Sequence, residues 1–191
     1  MKEKVILTDI DGVCLNWEQQ FHEWMAQKGH ERNASNDYGM MQQYDMSKHR
    51  AFKLLKEFNG SAWMGFIPAF KDARSGIAKL VESGYKFSAI TSMGFDDCAF
   101  ELRKRNLEEL FGKSTFIDIE RLDIGAPKHD ALEFYRDSGM WWLEDYWDNA
   151  VLGADIGLKS IIIDHPHNAG YTDERVVRAG TWTEVVETIV G

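Results

Sequence analysis

The sequence predicts an α/β fold: a doubly wound parallel sheet of about five strands, with a small helical insertion after the first. Three observations predict it. Short apolar runs recur at 4–9, 85–91, 114–119, 140–145 and 159–164, each of strand length and apolar enough to be covered on both faces. Segments with helical periodicity lie between the later runs, at 71–83, 96–110, 127–137 and 148–156. Parallel strands need such crossovers, so the alternation itself argues for a doubly wound sheet. The interval 16–69 alone breaks the pattern.

Taken in order, the first run ends in "TDIDGVC", where a buried strand meets Asp9 and Asp11, two carboxylates one residue apart. The interval that follows opens with "NWEQQFHEWMAQKG", which sets Trp17, Phe21, Trp24 and Met25 at helical spacing. A polar stretch comes next, then a second helical pattern, "SKHRAFKLLKEF". "FIPAF" at 66–70 reads as the return, so residues 1–15 and 70–191 form the core and 16–69 the insertion. Later helices end at Gly84, Gly139 and Gly157, the residue that best tolerates a left-handed terminus. No internal repeat or low-complexity segment interrupts the chain.

A chain of 191 residues suffices for one such domain with its insertion, and 44% hydrophobic residues suit an ordinary globular protein. The formal net charge of −9, with no Lys/Arg run, argues against a nucleic-acid polymer as partner. A small phosphate ester is still admissible if a cation offsets the repulsion. Cys14 and Cys98 stand far apart and suggest neither a disulfide framework nor a zinc site. The opening "MKEKVILTDI" is too short and acidic for a signal peptide, and no run of about 18 apolar residues occurs. A cytoplasmic protein without a membrane partner is therefore expected. Scattered charges such as Lys2 and Lys4 read as solvated surface.

The polar residues fall in a telling place. Asp9 and Asp11 follow strand one, Thr91 and Ser92 end strand two in "AITSM", Lys128 lies in "APKHDAL", and Glu144 and Asp145 end strand four in "WLEDYWDNA". All sit at carboxyl ends of strands or in the loops beyond, the edge where open parallel sheets bind ligands. If strand one is central, with strands two and four beside it, Asp9, Asp11, Thr91 and Asp145 converge and Lys128 reaches them. Closely packed carboxylates raise one another's pKa, and a divalent cation, best Mg²⁺, relieves this. A hydroxyl and a lysine beside the metal complement a phosphoryl group. Asp9 is then placed to attack phosphorus. Asp11, two residues on and projecting to the same side, can protonate the leaving oxygen and later deprotonate water. Gly12 lets the chain swing away.

With these residues in view, "DIDGV", "AITS", "PKHDAL" and "EDYWDN" resemble the four ordered motifs of the haloacid dehalogenase superfamily of Mg²⁺-dependent phosphatases, whose fold is Rossmann-like. The resemblance puts 16–69 at the position of that superfamily's first cap. It implies Asp9 as nucleophile, Asp11 as general acid/base, and Thr91 and Lys128 as phosphoryl ligands. Mg²⁺ is then held by Asp9, the backbone carbonyl of Asp11, and Asp145. A finer resemblance is to the 5'(3')-deoxyribonucleotidase branch, through "DIDGVCLNWEQQF", "SAWMGFIPAFKDA" and "DHPHNAGYTDERVVRAGTWTEV". It implies a nucleoside monophosphate as substrate, and a homodimer is compatible with it. Two positions depart from that branch: Glu144 replaces an Asp, and His167 stands where Tyr is usual.

Blander readings compete. A lone "DIDG" is as well explained by a solvent-facing turn, but not in order with Thr91, Lys128 and Asp145. Receiver domains use similar residues, but there Thr and Lys come last, whereas here an acid pair follows Lys128. His165 and His167 read as a polar loop rather than metal ligands. The cap aromatics form a small core by default, with Trp17 and Trp63 as the rings that can face the crevice and stack on a base. Trp141, Trp142 and Trp147 read as packing that dries the site. A phosphatase for another small metabolite, and a silent nucleotide-binding protein, are the alternative functions.

Overall fold

In a computed structural model, which describes residues 4–34 and 39–191, six parallel strands form one sheet. Lys2 and the stretch 35–38 in the polar middle of the insertion lie outside the described residues. The strands are β1 (Lys4–Thr8), β2 (Tyr85–Thr91), β3 (Phe116–Arg121), β4 (Trp141–Glu144), β5 (Lys159–Ile163) and β6 (Val176–Ala179), in the order β3-β2-β1-β4-β5-β6. β1 is thus flanked by β2 and β4, with Thr8 level with both Ala89 and Leu143. The chain winds outward from β1 in one direction, then in the other from β4. The switch point, and the crevice it opens, lies between them.

Six strands rather than about five is one difference from expectation. β6 is only four residues, "VVRA", too short for its pairing with β5 to leave a sequence pattern. β3 begins two residues later than expected, because Thr115 belongs to the turn after the preceding helix and its hydroxyl donates to the Phe111 carbonyl.

Among the described residues, three helices, α1 (Trp17–Gln27), α2 (Met40–Gln43) and α3 (Lys48–Asn59), and a 3-10 turn at Ala62–Gly65 occupy the insertion. α1 starts where the Asn16 side chain accepts from the Gln19 amide, and α3 where Ser47 does so for Arg50. Phe21 stacks on Trp17 at 4.8 Å and meets Phe58 edge-on at 5.2 Å. Burying each such ring stabilises by roughly 1.5–3 kcal/mol. The insertion leaves and rejoins the core at neighbouring points, where the Asn16 amide donates to Pro68 and the Phe70 amide to Cys14. Its apolar residues continue through Leu15, Met64 and Ile67 into the core around Ile6 and Phe87.

The remaining helices, α4 (Ala73–Glu82), α5 (Asp97–Phe111), α6 (His129–Glu133), α7 (Trp147–Asp155) and α8 (Trp182–Val190), accompany the sheet. α6 is shorter than the 127–137 pattern because the chain tightens after Glu133, where the Tyr135 and Arg136 amides donate to the carbonyls three residues back. Asp137 then turns left-handed with its amide on the Ile156 carbonyl. α4 and α8 approach closely at Gly76, where a Cβ would lie 2.7 Å from that of Trp182. Trp182 in turn donates its indole N–H to the Val13 carbonyl at 3.0 Å, tying the closing helix to the acid-bearing loop. Among the described residues, no helix is long and apolar enough to cross a membrane.

Candidate active site

Everything starts from the turn after β1. The Asp9 amide donates to Leu143 on β4, holding the chain in strand register one residue further. The Ile10 carbonyl then accepts from both Cys14 and Leu15, a tight loop that needs Gly12 at φ +79. A Cβ at Gly12 would lie 2.3 Å from Oδ2 of Asp145, so only glycine lets the two loops meet.

Asp9 is buried, with Oδ1 accepting from the Ile10 amide at 2.7 Å and Oδ2 paired to Nζ of Lys128 at 2.6 Å. Lys128, buried at the start of α6, also reaches Oε1 of Glu144 at 3.1 Å and lies over the Trp142 ring at 5.3 Å. Burial alone would lower the lysine pKa, but the carboxylates of Asp9 and Glu144 outweigh it and hold the ammonium charged. Glu144 is fully buried. Its Oε1 also accepts from Asn149 and its Oε2 from the Asp145 amide, and burial pushes its carboxyl up to about 7. Its part here is to anchor Lys128. Burial, then Glu144 and Asp9, raise Asp145 well above the carboxylate range.

One lysine among three buried acids leaves net negative charge out of water. Oxygens of Asp9, Glu144 and Asp145 lie within 4.8 Å of one another. Since Glu144 already accepts from Lys128, Asn149 and an amide, Asp9 and Asp145 are the acids left for a cation. An all-oxygen donor set fits Mg²⁺.

Thr91 ends β2, and its hydroxyl is buried without a hydrogen-bond partner among the described residues. At the end of the strand next to β1, an unpartnered hydroxyl fits the donor that a phosphoryl oxygen would need. Ser92 instead turns its hydroxyl to the Ala126 carbonyl at 3.4 Å. Asp11 stands apart from the metal-sized cluster. Arg103 of α5 grips it, Nη1 to Oδ1 at 2.5 Å and Nη2 to Oδ2 at 3.4 Å. Burial raises its pKa, an effect that the guanidinium counters.

His165 and His167 stack on each other at 5.0 Å, with Nε2 of the first on the Gly12 carbonyl and Nε2 of the second on that of Asp145. Asn168, fully buried, donates to the carbonyls of Asp145 and Ile163. This segment therefore braces both acid-bearing loops. Trp17 has one face against Phe21 and its N–H on Asn59, and Trp63 is partly buried against the core. Arg103 was not visible as a site residue in "ELRKRNLEEL", a charged stretch. The available signal is its place on the buried stripe of Ala99, Asn106 and Leu107.

No family model matches the chain. An uncharacterized protein from the Gp30–rIII intergenic region of Enterobacteria phage T4 is 33% identical over 115 residues, 56% of this chain and 40% of that one. The chain thus spans less than half the length of that relative. Among solved structures, the protein tyrosine kinase A of Mycobacterium tuberculosis superposes with a TM-score of 0.70 at 14% identity, over 99% of both chains. The D,D-heptose bisphosphate phosphatase of B. bronchiseptica, complexed with magnesium and phosphate, gives 0.58 at 14% identity over 98% of both. A predicted phosphatase from Clostridium acetobutylicum gives 0.67 at 14% over 98% of both. These are likenesses of fold: the chain shares the Rossmann-like parallel α/β architecture of these structures.

Proposed function

We propose that this protein is a haloacid-dehalogenase-type phosphatase that hydrolyses small phosphomonoesters, with a nucleoside monophosphate as the favoured substrate. One observation carries the reading. Asp9 is held by Lys128 beside Asp145, with the unpartnered Thr91 hydroxyl ending the neighbouring strand. Bound Mg²⁺, held by Asp9, the Asp11 carbonyl and Asp145, would neutralise phosphoryl charge. Lys128 and Thr91 bind the phosphoryl oxygens and orient the ester. Asp9 attacks phosphorus, and the ester P–O bond breaks while Asp11 gives its proton to the leaving oxygen. Asp11 then takes a proton from water as the new P–O bond forms, the bond to Asp9 breaks, and inorganic phosphate leaves.

The nucleotide preference is supported by the resemblance to deoxyribonucleotidases and by the cap aromatics. Trp17 is only partly buried, stacked on Phe21 and edge-on to Phe58. Phe66, 72% exposed after the 3-10 turn, and Phe95, 62% exposed after Ser92, offer further rings. The test is a screen of nucleotides and sugar phosphates, with and without Mg²⁺. Turnover that chelator abolishes and Mg²⁺ restores, greatest on deoxynucleoside monophosphates, is expected, with none in Asp9→Asn. Full activity in excess chelator, or in Asp9→Asn, defeats the reading. A preference for sugar phosphates keeps the phosphatase and removes the nucleotidase.

A further inference from the structure

Asp9 and Asp11 are the same residue type two positions apart, and nothing in their own chemistry assigns them different tasks. Their cations differ. Asp9 is paired to Lys128, while Asp11 is paired through both oxygens to Arg103, whose side chain has no solvent exposure. We propose that Arg103 is a positioning residue that fixes the Asp11 carboxyl at the crevice, so that it, and not Asp9, serves the ester oxygen; this rests on the phosphatase reading above.

The surroundings favour this role over simple packing. Arg103 Nη2 also lies 3.2 Å from Sδ of Met64, in the turn by which the insertion returns. Three residues on, Asn106 donates to the Ile67 carbonyl at 2.8 Å, so one face of α5 grips that returning segment twice. The guanidinium is thereby wedged between a fixed turn and Asp11. Its Nε is buried with no partner among the described residues. A buried, incompletely bonded cation is a costly way to fill space that a methionine would fill. Its gain is directional: a planar fork orients a carboxylate through two contacts, which a lysine cannot do. Asp11 itself stays 23% exposed at the crevice, while the cation behind it is dry. Without that fork, Asp11 is free to rotate toward Lys128 or into solvent, and its proton no longer meets the leaving oxygen.

The readout is leaving-group dependence, because a nitrophenolate departs with little protonation and an alkoxide does not. kcat/KM is measured for wild type, Arg103→Met and Arg103→Lys on an alkyl phosphate and on p-nitrophenyl phosphate. General acid help is worth about 100- to 10,000-fold, and misplacing the acid forfeits part of it. Arg103→Met should therefore lower the alkyl-to-nitrophenyl ratio of kcat/KM by about 10- to 100-fold, with Arg103→Lys intermediate. In an Asp11→Asn background the same substitution should leave the ratio unchanged. Equal losses on both esters, or a further fall of the ratio without Asp11, overturn the assignment and make Arg103 structural. If Arg103→Met does not fold, Arg103→Lys carries the same comparison. A wild-type protein that hydrolyses neither ester defeats the phosphatase reading itself, an outcome distinct from an active wild type with an unchanged ratio.

Discussion

Gly12 shows how much a missing side chain can decide. Its position at φ +79 costs an alanine about 1–2 kcal/mol, and the added Cβ would collide with Asp145 Oδ2 at 2.3 Å. The backbone strain is tolerable for a whole domain, but the collision must displace the acid that faces Asp9. A shift of about 1 Å at a reacting centre typically costs on the order of 100-fold in rate. Gly12→Ala should therefore keep its circular dichroism spectrum and lose about 100-fold in turnover. Wild-type turnover in that variant would show that Asp145 does not need its present place. This residue was legible in advance only as a hinge. The requirement for close approach between two loops 133 positions apart in sequence depends on β4 pairing beside β1, which spacing alone does not measure.

At the scale of elements, the strands that bear the site were legible because each is a short apolar run ending in a polar residue. β6 was not, since a four-residue strand leaves no periodic trace, and α6 was legible as a helix but not in its early end after Glu133. Arg103 escaped for another reason: charge usually marks a solvated helix face, and here an ion pair overrides that rule. A similar network governs α1. Oε1 of Glu18 lies 3.2 Å from His22, from Arg32 and from Gln43, and the hydrogen bond to His22 is the chief cause that lowers its carboxyl to about 2. A carboxyl depressed in the folded state stabilises fully above its unfolded pKa, near 4.5, and loses that contribution as pH falls toward 2. Glu18 is 40% exposed, so solvent screens the effect and it should be small. The stability gap between wild type and Glu18→Gln should be constant above pH 5 and close between pH 4.5 and 2. Urea unfolding across that range measures it, and a gap that widens in acid would mean Glu18 is not held ionised by these partners.

For the whole molecule, a net charge of −9 and a buried trio of acids with one lysine make folding dependent on what neutralises the site. A cation that binds only the folded chain stabilises it by about 2.7 kcal/mol at 100 times its Kd. For a domain of this size, each kcal/mol moves the midpoint by about 2–4 °C, so saturating Mg²⁺ should raise Tm by about 5–10 °C. This readout needs no substrate and therefore separates cation binding from turnover. Asp145→Asn should abolish most of the Mg²⁺ shift while raising the Tm of the cation-free protein, because it removes a carboxyl whose ionised form burial, then Glu144 and Asp9, disfavour in the folded state. Glu144→Gln should behave differently, loosening Lys128 and lowering stability with or without Mg²⁺, since Glu144 pairs with the lysine. If Mg²⁺ shifts the wild type and Asp145→Asn equally, the cation binds elsewhere, and the acids at the switch point must be balanced by protons instead.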